Sequence, residues 1–113
     1  MKSFKKEYLD RVEYYNYKGE LHREDDLPAI ESSTGYKSWY INGQLHRTGG
    51  PAIEDSDGYK AWYINGLRHR EDGPAVYFQT GEQWWFLNDQ RYFNQEKYKE
   101  EVIRIKLKRL TEL

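Results

Sequence analysis

The sequence predicts a mainly β protein, an antiparallel β-meander of hairpin repeats that forms a single-sheet solenoid of about eight strands and ends in a C-terminal α-helix. Three observations predict this class. One segment recurs almost unchanged after 23 residues. Within each copy, aromatic and β-branched residues alternate with polar ones between Gly-containing turns, as in hairpins. Residues 94–113 instead show the capping and charge order of a helix. With 113 residues in all, we expect one domain over 1–113.

The first predicted element is an N-terminal lead-in over 1–11, ahead of repeats over 12–92. Residues 1–6 are expected to be frayed, because chain ends are held by few contacts. The segment 12–17 is rich in Tyr and is predicted to be the first strand of a degenerate repeat. That repeat continues with His22-Arg23 and Pro28-Ala29.

The two clearest repeats define the hairpin unit. Residues 36–54 are YKSWYINGQLHRTGGPAIE, and residues 59–76 are YKAWYINGLRHREDGPAV. The segments 36–41 and 59–64 are predicted strands, and each runs into an Asn-Gly pair that tolerates positive φ and so favours a tight turn. The chain returns through a His-Arg loop to a second strand that begins at Pro-Ala. Thr-Gly or Asp-Gly pairs then lead to the next unit, and a truncated copy ends near residue 92.

The pattern W-Y-x-N-G-x-x-H-R-x-x-G-P-A, followed by a strand and a turn, resembles a variant of the MORN repeat. It is especially similar to repeats of small uncharacterised phage and large-virus proteins. The resemblance covers roughly residues 12–92. The sequence departs from the usual MORN pattern where Arg23, Arg47 and Arg70 stand in place of the Gly that follows the loop histidine. The resemblance implies a scaffolding or interaction module, with phospholipid binding proposed for some members, and it provides no catalytic residues.

The final 20 residues, 94–113, favour a helix. Asn94 is a suitable N-cap, Glu100 and Arg104 are spaced for an i, i+4 ion pair, and basic residues gather at the C-terminal end. The predicted helix has two adjacent apolar stripes. One contains Tyr98, Val102 and Ile105, and the other contains Ile103, Leu107 and Leu110. The alternation in 103–108 is also compatible with a strand. We expect the helix to cap the last repeat or cover one sheet face; the alternative is a homodimer through the exposed stripe.

Composition excludes several classes of function. The net charge of −1 lacks the basic excess that a nucleic-acid footprint needs, so nucleic acid is not expected as a partner. There is no Cys, which excludes disulfides and thiolate metal sites and is typical of a reducing compartment. No stretch approaches the ~20 apolar residues of a membrane helix, and no apolar signal segment follows residues 1–6. The expected location is the cytoplasm, with no membrane partner.

Three histidines occupy equivalent repeat positions: His22, His46 and His69. Strands lie ~4.8 Å apart, so histidines two strands apart should be separated by about 9–10 Å. Zinc ligands must lie ~2.0–2.1 Å from the ion, which that spacing does not allow. We therefore expect structural histidines that hydrogen-bond their own loops, with no metal and no cofactor.

Two arginines are candidate anion contacts. Arg47 and Arg70 could meet phosphate or carboxylate through their planar guanidinium groups. Acidic residues stand beside Arg70 in the sequence, so local ion pairs are the favoured alternative there. The loop around Arg47 has Thr48-Gly49-Gly50 instead, and Arg47 is expected to be the least neutralised. No arrangement of residues indicates a catalytic site, and we expect no enzyme activity.

The aromatic residues are predicted to form two ladders on opposite faces of the sheet. Trp39, Trp62 and Trp85 form the ladder assigned to the structural core. The predicted binding face contains Tyr40, Tyr63, Trp84 and Phe86. A single sheet cannot bury both ladders, and a contiguous exposed aromatic patch marks an interaction site. The helix is expected to cover the other face.

These expectations lead to a functional hypothesis. The chain is predicted to be a protein-binding repeat module, and its phage-like repeats suggest an inhibitor of a host defence protein, acting in the host cytoplasm. The alternatives are a sponge that sequesters a nucleotide-like small ligand and an antitoxin-like neutraliser. A small ligand would require an enclosed pocket, in contrast to the flat aromatic patch that suits a protein.

Overall fold

A computed structural model describes residues 3–112, where a series of short strands precedes one helix. The strands are β1 (Phe4–Glu7), β2 (Arg11–Tyr15), β3 (Ile30–Ser32), β4 (Lys37–Ser38), β5 (Tyr40–Ile41), β6 (Gln44–Leu45), β7 (Ile53–Glu54), β8 (Lys60–Ala61), β9 (Tyr63–Ile64), β10 (Leu67–Arg68), β11 (Val76–Tyr77), β12 (Gln83–Leu87) and β13 (Gln90–Tyr92). The helix is α1 (Gln95–Thr111).

The principal sheet is a nine-stranded antiparallel meander. Its spatial order is β1-β2-β3-β4-β7-β8-β11-β12-β13, so strands that follow one another in the sheet also follow one another along the chain. The architecture confirms the predicted class, a mainly β antiparallel meander of hairpin repeats with a C-terminal helix; its principal sheet has nine strands where about eight were expected.

Each predicted first strand is divided in two, which the sequence analysis did not anticipate. The segments 36–41 and 59–64 are interrupted at Trp39 and Trp62, and β5 pairs with β6 and β9 pairs with β10 in separate hairpins. At the interruption, the N–H of Trp39 still donates to the carbonyl oxygen of Ala52 at 2.8 Å. The hairpins in turn stack on one another, since the N–H of Gly66 donates to the carbonyl oxygen of Leu45 at 2.8 Å. Hydrogen bonds between successive hairpins therefore take the place of further strand pairing within the principal sheet.

The hairpin turns have the backbone that their Asn-Gly pairs predict. Asn42 and Gly43 have φ of 48° and 82°, and Asn65 and Gly66 have φ of 51° and 80°. Two successive positive φ values define a type I′ turn, whose twist matches that of the flanking strands. In the truncated repeat Asp89 occupies the second position with φ of 68°. A non-Gly residue therefore accepts the left-handed conformation there.

The N-terminal segment is more ordered than expected. Residues 4–7 form β1, which pairs with β2 in the register Phe4↔Tyr15 to Glu7↔Val12. The expectation of fraying over 1–6 is thus wrong for residues 4–6, because the partner strand β2 satisfies their backbone. Residues 1 and 2 lie outside the described part of the chain. Strand β1 forms one edge of the sheet, and all four of its residues are exposed.

The C-terminal helix begins as predicted. The side-chain oxygen of Asn94 accepts from the backbone N–H groups of Glu96 and Lys97 at 2.8 and 3.3 Å, which satisfies two donors of the first turn. Arg104 pairs with Glu101 at 2.6 Å, three residues away, and not with the predicted Glu100. Both spacings bring side chains together on a helix. Residue 113 lies outside the described range.

Candidate binding surface

Strand register assigns the side chains to two faces of the sheet. Val76 pairs with Ala61 on one side and with Trp84 on the other, so these three side chains share a face. Phe86 pairs with Arg91, which extends the same face to the last strand. We call it the tyrosine face, since Tyr36, Tyr40, Tyr59 and Tyr63 lie along it, together with Phe78, Trp84, Phe86, Arg91 and Phe93. The opposite side is the arginine face.

The arginine face is organised by stacked guanidinium groups. Arg23, Arg47 and Arg70 lie 3.7, 3.8 and 3.9 Å from the ring centroids of Tyr14, Trp39 and Trp62. Each of these arginines also donates to the carbonyl oxygen of the proline in its own loop, at 3.0–3.2 Å. Trp39 is buried and Trp62 is half-buried. This repeated stack of arginine on an aromatic ring holds the loops against the sheet.

Both candidate anion contacts are already engaged by acids. Arg47 donates through Nε to Asp26 at 2.8 Å, and its Nη1 lies 3.6 Å from Glu54. Arg70 donates through Nε to Asp72 at 3.0 Å. The expectation that Arg47 is the least neutralised is wrong, because Asp26 reaches it from the preceding loop. An external anion at either arginine would have to displace a carboxylate.

The three histidines join neighbouring repeats. Nδ1 of His22, His46 and His69 accepts the backbone N–H of Asn42, Asn65 and Asn88, respectively, at 2.9–3.0 Å. The expected bond to the histidine's own loop is found on the other nitrogen, where Nε2 lies 3.4 Å from Glu24 in the first loop and 2.8 Å from Glu71 in the third. Within residues 3–112, no group of three His, Asp or Glu side chains is placed to hold a metal ion.

A groove lies on the arginine face between the second and third loops and the helix. Its volume is about 890 Å³, and its lining includes Gly49, Trp62, Arg70, Ile105 and Arg109. The groove is open to solvent, and its lining also contains Glu71 and Asp72, which pair with Arg109 and Arg70. Its aromatic and basic groups have the chemistry that the alternative of a nucleotide-like ligand requires.

The helix covers the arginine-face side of the last two strands. Leu87, Tyr98 and Val102 form a buried cluster, and Trp85 packs against its edge. Tyr98 is 5 % exposed; its hydroxyl donates to the carbonyl oxygen of Arg70 at 2.5 Å and accepts the N–H of Gly73 at 3.3 Å. The helix therefore caps the last repeat from one side and leaves the tyrosine face uncovered there.

The tyrosine face carries a continuous row of partly exposed aromatic rings. Tyr59 contacts Phe78 with ring centroids 5.9 Å apart, and Phe78 contacts Trp84 at 4.8 Å. Burial, followed by the neighbouring phenols of Tyr36 and Tyr63, raises the pKa of Tyr40. Burial, followed by the neighbouring phenol of Tyr59, likewise raises the pKa of Tyr63. The four tyrosines thus form one cluster of neighbouring phenols.

The structure separates the four residues of the predicted binding face. Tyr40, Tyr63 and Trp84 are half-buried and offer surface to a partner. Phe86 is only 2 % exposed, because it packs with Ala61 and Val76 while the guanidinium of Arg68 lies 4.2 Å from its ring centroid. Phe86 is therefore a core residue, and its place in the predicted binding face is corrected.

Sequence reasoning missed two residues of this face, Arg91 and Phe93. Phe93 is 83 % exposed, and the guanidinium of Arg91 lies 4.2 Å from its ring centroid. Their positions follow from the pairing of Phe86 with Arg91. The signal that could have found them is the truncated last repeat, in which Arg91 occupies the position of Arg68 but no further repeat follows.

A second apolar surface lies on the helix. Ile103, Leu107 and Leu110 are 57, 57 and 63 % exposed. They form the stripe that the sequence analysis associated with dimerisation, and the prediction of a homodimer stays a prediction. None of the helical segments within 3–112 has the length and apolar character needed to cross a bilayer.

Comparisons of the chain with protein-family models, with curated proteins and with solved structures gave no match.

Proposed function

We propose that this chain is a non-enzymatic repeat module that binds a protein partner through its tyrosine face. One observation carries the proposal: the stacked loops and the helix occupy the arginine face, while Tyr40, Tyr63 and Trp84 keep part of their surface exposed on the other side. Tyr and Trp dominate the binding energy of protein interfaces, because they bury a large area at low entropic cost.

The shape of the surface supports a macromolecular partner. The Cα atoms extend 46 × 39 × 18 Å, so the molecule is a thin slab whose broad faces are the sheet surfaces. A flat face of this kind suits a protein surface better than a small ligand, which needs a concavity. The aromatic row runs across the third and fourth repeats, and the tyrosine cluster extends it to the second.

We extend the proposal to a phage-encoded inhibitor of a host defence protein, acting in the host cytoplasm. The support for this extension is the resemblance of the repeats to variant MORN repeats of phage proteins. Inhibition would follow from occlusion: the preformed tyrosine face would cover a functional surface of the target, and no catalysed reaction would be involved. An antitoxin-like neutraliser would act in the same physical way on a different target.

The experiment is an affinity capture from host lysate, followed by native mass spectrometry of the purified complex. The test variant is Tyr40→Ser with Tyr63→Ser, and the control is Tyr17→Ser, a tyrosine that is 71 % exposed and lies outside the tyrosine face. We expect one stoichiometric protein partner, a loss of affinity of at least about tenfold in the double variant, and no change in the control.

Circular dichroism of the double variant decides how a loss of binding is interpreted. Loss of capture with an intact β spectrum supports the tyrosine face as the interface. Unfolding of the double variant would show that these tyrosines are core residues, and unchanged capture would remove the face from consideration.

A second candidate function is sequestration of a nucleotide-like ligand. The observation that favours it is the 890 Å³ groove on the arginine face, with Trp62, Arg70 and Arg109 in its lining. Native mass spectrometry distinguishes the two functions, because a retained small molecule without a protein partner would support the groove and contradict the tyrosine face.

A further inference from the structure

Arg91 lies between two aromatic rings at the C-terminal end of the tyrosine face. Its guanidinium is 3.4 Å from the ring centroid of Trp84 and 4.2 Å from that of Phe93. Stacking on two rings restricts the motion of a long side chain and holds the planar guanidinium in place. The group is therefore preorganised before any partner arrives.

Arg91 differs from the other arginines in its electrostatic partners. Within residues 3–112, every other arginine has a carboxylate within 4 Å, and Arg91 has none. The pairs are Arg11–Glu13, Arg23–Glu31, Arg47–Asp26, Arg68–Asp89, Arg70–Asp72, Arg104–Glu101 and Arg109–Glu71. The charge of Arg91 is thus the guanidinium charge that the fold leaves without a counter-ion.

Two buried donors at this point also lack acceptors. Nε of Arg91 and Nε1 of Trp84 are both buried, and neither has a hydrogen-bond partner within the described chain. They belong to side chains that are in direct contact. A buried donor without an acceptor is unfavourable, so the hydrogen bonding within the fold is incomplete at this point of the face.

The position of Arg91 in the repeat explains the missing partner. In the preceding hairpin, Arg68 occupies the equivalent position and pairs with Asp89 of the next repeat at 2.6 Å. Arg91 belongs to the last hairpin, and the chain turns into the helix at Asn94 instead of forming another repeat. Within the described chain, no further hairpin therefore lies beside Arg91 in the place that Asp89 takes beside Arg68.

We propose that Arg91, held between Trp84 and Phe93, binds an Asp or Glu carboxylate of the protein partner and is the principal electrostatic contact of the tyrosine face. This inference rests on the proposed function and adds the chemistry of the partner: an acidic side chain next to apolar surface. A carboxylate matches the planar fork of a guanidinium in a bidentate pair. It also matches one guanidinium charge without a counter-ion, whereas a phosphate dianion is better neutralised by several cations.

The test measures the affinity of the full-length chain for the captured partner by isothermal titration calorimetry. Arg91→Gln removes the charge and keeps much of the stacking stem, while Arg91→Lys keeps the charge and removes the fork. The matched control is Arg68→Gln, which lies on the same face but whose charge is already paired. We expect about tenfold or greater weakening for Arg91→Gln, a partial loss for Arg91→Lys, and a change within about twofold for Arg68→Gln.

A charge swap identifies the carboxylate. Arg91→Glu should abolish binding, and replacing the partner's contacting Asp or Glu with Arg should restore it. Restoration supports the proposal. Loss of binding after phosphatase treatment of the partner would overturn it in favour of a phosphate ligand.

The outcomes separate this inference from the proposed function. If Arg91→Gln binds normally while the Tyr40→Ser, Tyr63→Ser variant does not, the tyrosine face is the interface but Arg91 is not its electrostatic contact. If all of these variants bind normally, the proposed function itself fails. Thermal unfolding of Arg91→Lys and Arg91→Gln, compared with the wild-type chain, establishes that each variant is folded.

Discussion

At the scale of single residues, the histidines show how each repeat is fixed to the next. Because Nδ1 of His22 accepts the N–H of Asn42 at 2.9 Å, the proton of the neutral ring is on Nε2. His22 is 2 % exposed, so this bond is formed away from water. The same bond occurs at His46 and His69, and it lies at the tight turn of the following hairpin.

Replacing His22 tests this link. His22→Leu leaves the N–H of Asn42 without an acceptor, and we expect the free energy of unfolding to fall by about 1–3 kcal/mol in urea denaturation. His22→Asn places an amide oxygen near the position of Nδ1 and should recover part of the loss. Equal stability of the leucine and wild-type chains would contradict a structural role for this bond.

At the scale of elements, the helix acts as the cap of the repeat stack. Its charged first turn and its N-cap establish where it begins, but Tyr98 determines where it lies. This side chain packs against Leu87 and reaches the backbone of the third loop at Arg70 and Gly73. Burial raises the pKa of its hydroxyl, which therefore stays protonated and able to donate.

Two substitutions at Tyr98 separate packing from hydrogen bonding. We expect Tyr98→Phe to lower the free energy of unfolding by about 1–2 kcal/mol, because the backbone of the third loop loses its hydrogen bonds to the hydroxyl. Tyr98→Ala should lower it by about 3–5 kcal/mol, because a cavity forms between the helix and β12. Differential scanning calorimetry measures both, and Tyr17→Phe serves as the exposed control. Equal effects of the two changes at Tyr98 would indicate that packing contributes nothing.

At the scale of the whole molecule, the thin slab depends on contacts between adjacent repeats. Its buried residues form small clusters rather than one deep core, for example Ala61, Ala75, Val76 and Phe86. Ion pairs reinforce the stack: Asp26 of the first loop binds Arg47 of the second, and Arg68 binds Asp89 of the last hairpin. In each pair, the hydrogen bond from arginine holds the pKa of the carboxyl below its ordinary value of 3.8.

These lowered pKa values predict a dependence of stability on pH. A carboxyl with a lower pKa in the folded state binds protons more weakly there than in the unfolded chain. The carboxyl's contribution to the free energy of unfolding is therefore complete at pH values above the ordinary pKa of 3.8, and it is lost as the pH falls through the folded-state pKa. Asp26→Asn should reduce the free energy of unfolding at pH 7 by less than about 1 kcal/mol, since the pair is partly exposed. It should also make the free energy of unfolding depend less on pH in the acid range, because the titrating carboxyl is gone.

Urea unfolding of the wild-type and Asp26→Asn chains between neutral and strongly acidic pH checks this expectation. The control is Asp57→Asn, an exposed acid in a turn. A difference between wild type and Asp26→Asn that stays constant down to the lowest pH would contradict the assigned pair.

Much of the fold follows from local chemistry. The 23-residue repeat predicts the hairpin unit, the Asn-Gly pairs predict positive φ at Asn42 and Gly43, and Asn94 predicts the start of the helix. These features depend on residues close together in the chain, where propensity and sterics decide the conformation.

The candidate site depended on contacts between residues far apart in sequence. Alternation along the strand placed Phe86 with Tyr40 and Tyr63, but only the fold shows that Arg68 covers Phe86. The loop around Arg47 contains no acid, so its sequence suggested a free guanidinium, but its counter-ion is Asp26, on the preceding loop. Likewise, Arg91 has no carboxylate partner in the described chain, and no further hairpin lies beside it. Sequence pattern specified the repeat and its turns, whereas tertiary stacking decided which aromatic rings and which charges face outward.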